Sequence, residues 1–314
     1  MELRHLRYFL AVADAMSFTA AAERLHVAQP ALSQQIRALE RELGVTLIER
    51  GARTRALTEA GIRFAARARR ILLEAETASE EMAGFGSGRH GTVRFGSALQ
   101  SLTEGRVAAL LAGFHRANPG LRVAFREAHT RPLLRELAHG RLDLALIHLG
   151  EGASSELHIA FEEVPVAIDR LYEEPLLLAV GPEHRLARRR SVRWSELAGE
   201  EFVSFGAGST VRELAARAAR AAGISLRAPI SAINLGTIRA LVSAGLGVSI
   251  LPKAAFALPG PPLRALKLTD PSLTRVVSLA RNTIRYERPA SRKFADFLRA
   301  GLRRSTENVK KRSG

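Results

Sequence analysis

With 314 residues, 46% of them hydrophobic, the chain is long enough for two or three domains, each with a real core. It contains no cysteine, which excludes disulfides, thiolate metal sites and peroxide sensing through a thiol. The formal charge of +16 points toward nucleic acid, but Lys plus Arg outnumber Asp plus Glu by only 8 to 6 in residues 1–58, against 34 to 20 after residue 90.

Helical periodicity begins at once. Leu3, Leu6, Leu10 and Ala13 share one face of a first helix, and Ser17 is a good N-cap for a short second one carrying Phe18, Ala21, Ala22 and Leu25. A turn at His26–Gln29 leads to a third helix with Pro30 in its first turn, Leu32, Ile36, Leu39 and Leu43 at helical spacing, and Gly44 as its stop. Val45–Ile48 has strand character, and Gly51–Thr54 forms the tip of a hairpin returning through Ala56 and Leu57, a two-stranded wing. Thr58 caps a long helix to about Met82, whose apolar seam is Ile62, Ala65, Leu72 and Ala83, interrupted by Arg69 and Glu76. Gly84, Gly86, Gly88 and Gly91 then mark a hinge.

From Thr92 onward strands alternate with helices in a βαβαβ pattern: strand 93–96, a helix with Val107 and Phe114, strand 121–126, a helix from Arg131 to Gly140, and strand 142–147. A second set comprises strands at 175–180, 202–205 and 248–251 with helices at 210–222 and 235–244. Two α/β lobes with mostly parallel sheets are expected, and the strand 276–280 and helix 291–302 fit either lobe. The last residues, 303–314, have the basic, polar composition of a disordered tail.

On a wheel of about 100° per residue, the third helix turns Pro30, Gln34, Arg37 and Arg41 away from its buried stripe. Arg and Gln offer paired hydrogen bonds to guanine and adenine edges, and Gln29 and Ser33 near the helix start reach bases or phosphates. Arg50, Arg53 and Arg55 on the wing suit phosphate or the minor groove. The plain alternative, a solvated helix face, is outweighed by the flanking short helix and hairpin.

These residues carry a specific resemblance. The stretch MELRHLRYFLAVADAMSFTAAAERLHVAQPALSQQIRALERELGVTLIER, followed by LTEAG, resembles the N-terminus of LysR-type transcription regulators, most of all a branch controlling aromatic catabolism. Gln34 stands where the family commonly has arginine and Ile48 where it commonly has phenylalanine. The resemblance implies a winged helix-turn-helix at 1–58, a dimerising linker helix and hinge at 59–90, and a two-lobed, periplasmic-binding-protein-like effector domain at 91–302. Lobe one would be 91–162 plus 268–302, and lobe two 163–267. It also implies double-stranded DNA as partner, a homodimer or homotetramer on an interrupted palindrome, and RNA polymerase as a further contact.

Ligands of open α/β sheets collect at the C-terminal ends of strands, where helix N-termini present free donors. Ser97–Ser101 follow the first strand, Thr130 is an N-cap after the second, His148 follows the third, Ser204–Thr210 link a strand to a helix, and Asn234 caps another helix. By resemblance Ser97, Thr130, His148, Phe205 and Gly247 line an effector cleft: the first two bond a carboxylate, Phe205 packs on an apolar portion, and Gly247 lets backbone approach. The related branch often has arginine at His148, so charge there becomes pH-dependent. A small or aromatic carboxylate is the expected effector.

An enzyme is disfavoured. Gly84, Gly86 and Gly88 follow a helix rather than a strand, no Walker loop, metal-spaced histidine pair or nucleophile elbow is found, and no cofactor is implied. His115, His129, His139, His158 and His184 are scattered surface or satisfied residues. No run approaches a membrane span, and Met1 precedes a charged amphipathic stretch rather than a signal core, so a cytoplasmic chain without membrane contact is expected. A solute-binding protein and an effector-independent winged-helix regulator remain as alternatives.

Overall fold

A computed structural model describes residues 1–49, 56–84, 91–99, 105–150, 156–161, 164–283 and 287–311. The chain forms two compact units, Met1–Ser87 and Gly88–Gly314. Among the described residues no helix is long and apolar enough to cross a membrane.

The first unit contains α1 (Leu3–Ala15), α2 (Phe18–Leu25), α3 (Gln29–Leu43) and α4 (Glu59–Gly84). Local chemistry sets their ends. The Ser17 hydroxyl accepts from Ala20 N at 3.3 Å, Gly44 ends α3 at φ +69°, and the Thr58 hydroxyl accepts from Gly61 N at 2.9 Å. Leu6, Phe9, Leu32, Ile36, Leu39 and Leu47 form the core, and α4 enters it through Ala65 and Ala68. Phe64 meets Phe9 edge to face with centroids 5.2 Å apart, and Arg69 pairs with Asp14. The long helix therefore packs within the first compact unit. Ile62, expected on the apolar seam, is 61% exposed, because the face α4 turns to this core is that of Ala65 and Ala68. Leu72 is half-buried, and the Ala83 side chain lies outside the described set. Of the expected wing strand, the described ladder is one bridge, Ile48 to Leu57, with Glu49 N donating to Ala56 O at 2.9 Å.

The second unit runs β1 (Gly91–Ala98), α5 (Arg106–Ala117), β2 (Leu121–Ala128), α6 (Thr130–Ala138), β3 (Leu144–Gly150), β4 (Glu156–Phe161), β5 (Val164–Val180) and β6 (Ser191–Arg193). It continues with β7 (Glu201–Phe205), α7 (Thr210–Ala221), β8 (Arg227–Ala232), α8 (Leu235–Ser243), β9 (Ser249–Pro252), β10 (Arg264–Thr269), β11 (Thr274–Asn282) and α9 (Pro289–Lys311). The main sheet has the order β2-β1-β3-β11-β5-β10-β6, with β4 and β9 also on β5. The expected βαβαβ core is present, since β1 pairs in parallel with both β2 and β3. The sheet as a whole is mixed rather than mostly parallel, because β11 runs antiparallel to β3 and β5, and β5 runs antiparallel to β4, β9 and β10.

β5 decides where the lobes divide. It pairs with β11 from Val166 to Pro175 and with β9 and β10 from Leu176 onward, so one strand serves both lobes. Pro175, which has no N–H for a ladder, marks the switch. The first crossing thus lies near 175 rather than 162, and the return lies between Thr269 and Thr274 rather than at 267. β11 and α9 complete lobe one: Phe294 meets Phe95 and Phe114 at centroid distances of 5.1 and 4.8 Å. α9 continues to Lys311, so most of the tail expected to be disordered is helical. No Gly or Pro interrupts 302–311, and extending an existing helix costs far less than nucleating one.

Gly61 explains a glycine of the LTEAG stretch. A β-carbon there would stand 2.0 Å from the Leu47 carbonyl oxygen, a backbone atom that cannot swing aside. Gly61→Ala is expected to destabilise the full chain by about 1–3 kcal/mol, as overpacking does. The urea midpoint checks this, and an unchanged midpoint would mean that the hairpin shifts freely.

Candidate functional site

The exposed ridge of α3 is formed by Gln29, Pro30, Gln34, Arg37 and Arg41, while Ser33 is half-buried. Gln35 is held back by α1, its Oε1 lying 2.9 Å from His5 Nε2. Glu40 was not singled out by sequence, yet it attaches the hairpin to this helix. Its Oε1 accepts from Leu47 N at 2.9 Å and Ile48 N at 3.2 Å. Thr58 Oγ1 donates to Thr46 O at 2.7 Å, closing the other side. Between helix and hairpin lies an open groove of about 720 Å³ lined by Gln34, Arg37, Arg41 and Thr46. Arg50 and Arg53, with Arg55, lie outside the described residues.

In the second unit, the expected cleft residues separate into two groups. Ser97 is fully buried, and its hydroxyl has no hydrogen-bond partner. It lies within β1, opposite Leu146 of β3, two residues before His148. Thr130 is the first residue of α6; the N-cap is His129. The Thr130 hydroxyl bonds the backbone of His148 instead, within 3.2 Å of both its N and its O. His148 itself lies inside β3 rather than after it. From lobe two, the Thr210 hydroxyl donates to the same His148 carbonyl at 3.3 Å, and Gly208 sits so close to His129 that a β-carbon would be 3.3 Å from its ring. Ser97, Thr130, His148 and Thr210 therefore gather where the N-termini of α6 and α7 approach the end of β3.

Phe205 and Gly247 do not join them. The Phe205 ring is buried in the core of lobe two. Gly247, at φ +142°, lets the chain pass strand β7, and a β-carbon would lie 2.4 Å from Glu201 O. Gly247 thus serves a close backbone approach, while Phe205 also lines a small pocket inside lobe two.

Sequence reasoning missed a buried charge cluster behind His148. The Arg275 guanidinium is fully buried, with Nε 2.8 Å and Nη2 2.6 Å from Glu174 Oε2. Glu174 Oε1 accepts from Ala254 N at 3.2 Å. Arg275 Nη1 lies 3.3 Å from His148 Nδ1. A guanidinium only donates, so Nδ1 accepts and the imidazole proton sits on Nε2. Burial first, and the adjacent Arg275 charge second, hold the His148 pKa well below 6.5. His148 is thus neutral and adds no positive charge. The signal available in sequence was a charge within each apolar strand, since a buried charge requires an opposite partner.

A helix-turn-helix with an exposed polar ridge, followed in the chain by two α/β lobes with polar residues gathered at strand ends, defines a ligand-responsive DNA-binding regulator. The chain matches the family described as "Bacterial regulatory helix-turn-helix protein, lysR family" over residues 3–62 and "LysR substrate binding domain" over residues 86–303, and it belongs to the LysR family of transcription regulators. It is 34% identical to the Escherichia coli DNA-binding transcriptional dual regulator OxyR over 259 residues, 82% of this chain and 81% of that one. It is 33% identical to the transcriptional regulator TfdS of Cupriavidus pinatubonensis over 304 residues, covering 96% of this chain and 99% of TfdS. A full-length OxyR from Pseudomonas aeruginosa, solved as a cysteine-to-aspartate variant, superposes with TM-score 0.68 at 25% identity, covering 96% of this chain and 95% of that chain. OxyR and TfdS stand at nearly equal identity, so the aromatic-catabolism branch gains only loose support.

His148 generates a pH prediction. Its folded pKa lies below the unfolded value near 6.5, so the unfolded chain takes up the extra proton first. The associated stability is fully present above about pH 6.5 and is lost as pH falls toward the folded value. Urea midpoints at about pH 7.5 and about pH 5.5 should show a larger acid loss for the wild type than for His148→Asn; equal losses would contradict the lowered His148 pKa.

Proposed function

We propose that this regulator reads DNA through Gln29, Pro30, Ser33, Gln34 and Arg37, with Arg50 and Arg53 on the hairpin contacting phosphate or the minor groove. The observation that carries this reading is the exposed α3 ridge beside a hairpin attached through Glu40. Arg37 offers a bidentate contact to guanine, and Gln34, in place of an arginine, favours adenine. Subunits pair through α4, where Ile62, Ile71 and Met82 are 61%, 40% and 63% exposed, giving a homodimer that can assemble further into a tetramer.

The effector occupies the site between the lobes at Ser97, Thr130, His148 and Thr210. Two helix N-termini and the orphaned Ser97 hydroxyl favour an anion, and a small or aromatic carboxylate is the class we assign. The chain has no cysteine, so the signal is ligand binding and not thiol oxidation. Because Thr210 of lobe two and Thr130 of lobe one share the His148 carbonyl, a ligand there alters lobe closure and so the placement of paired DNA-binding domains. The protein acts in the cytoplasm, recruits RNA polymerase and catalyses no reaction of its own.

A DNase footprint upstream of the protein's own gene, with nonspecific competitor, is expected to show paired protected half-sites whose pattern changes with a member of a carboxylate panel. An unchanged footprint and unchanged transcription across the panel would overturn the effector assignment. Arg37→Ala should weaken specific binding by about 1–3 kcal/mol while sparing nonspecific binding. An electrophoretic shift titration measures both, and undiminished specific affinity removes Arg37 from the interface.

A further inference from the structure

We infer that lobe two contains a second binding pocket of its own, beneath α7, for a neutral ring-sized molecule carrying one hydroxyl group. The pocket has a volume of about 140 Å³ and is lined only by lobe-two residues of α7, β7, β9 and the segment entering β8. Small side chains create it: Ala215 and Ala216 on α7 and Ala228 opposite leave room that larger residues would fill. A cavity near 150 Å³ with apolar walls accommodates a benzene-sized ring.

One feature distinguishes it from a mere packing void. Ser249 lines the pocket, is 1% exposed, and its hydroxyl has no hydrogen-bond partner. A buried hydroxyl without a partner is costly, and a ligand hydroxyl would supply the missing bond. The rest of the wall is mostly apolar, which penalises a full charge and favours a neutral ring. Arg212 also lines the pocket, and its Nη1 is engaged in donating to Phe205 O at 3.3 Å.

The pocket is distinct from the site between the lobes, yet it shares a helix with it. Val211 and Ala215 of α7 form its wall, while Thr210, the first residue of that helix, reaches the His148 carbonyl of lobe one. Occupancy therefore fixes the helix that closes the lobes, and the two ligands influence each other reciprocally.

Titration of the full-length protein with phenol and with toluene, followed by calorimetry and thermal shift, tests this. Wild type should bind both saturably. Ser249→Ala should weaken phenol about fivefold and leave toluene unchanged. Ala215→Leu, which fills the space, should abolish both; if that variant does not fold, the phenol-to-toluene ratio in Ser249→Ala decides. Absence of saturable binding by wild type, or phenol binding indifferent to these substitutions, overturns the proposal, the latter placing phenol in the site between the lobes.

Discussion

The Arg275 guanidinium lies fully buried at the place where one sheet passes from lobe one to lobe two, and the arrangement around it follows from having to satisfy that charge. In the β11–β5 ladder Arg275 stands opposite Glu174, and in the β11–β3 ladder it stands opposite Gly150, two residues beyond His148. A one-residue slip of either strand would turn the guanidinium to the other face and strand it without a carboxylate. An ion pair of this kind contributes little net stability after desolvation, but losing one partner is costly, so it specifies register more than it stabilises. Glu174 extends the network to lobe two through Ala254 N, and burial, helped by the same positive charge, keeps His148 neutral.

That neutral imidazole shapes the chemistry of the cleft. An anion bound there, as proposed above, would be held by backbone donors at two helix starts and by hydroxyl groups rather than by a charged imidazole. The first unit shows the same economy. Its reading helix owes its exposed ridge to a buried Leu32, Ile36 and Leu39 stripe, and its hairpin is positioned by one carboxylate and one glycine, Glu40 and Gly61.

Elements with local signals were legible in the sequence. Ser17, Gly44, Thr58 and Asn234 cap helices as their residue types suggest, because capping depends only on neighbours within a few positions. Strands lacking a contiguous apolar run were missed: β4, β6, β10 and the first half of β5, where Asp169, Arg170, Glu173 and Glu174 break the pattern. β6, β10 and the first half of β5 pair with strands distant in the chain; Glu174 is opposite a residue 101 positions away. Gly247 could be placed only by the fold, since a glycine in a turn has the same local appearance whether it meets a ligand or the protein's own backbone.

By itself, then, the sequence determined the helix-turn-helix, the alternation of strands and helices, the absence of thiol chemistry and the family, because these are written in residue types and short spacings. Only the tertiary structure decided that β5 serves both lobes, that Thr130 and Thr210 meet on one carbonyl, and that His148 carries no charge. Each of those outcomes depends on which remote groups share a desolvated space, and in that space a missing partner costs more than any local preference can offset.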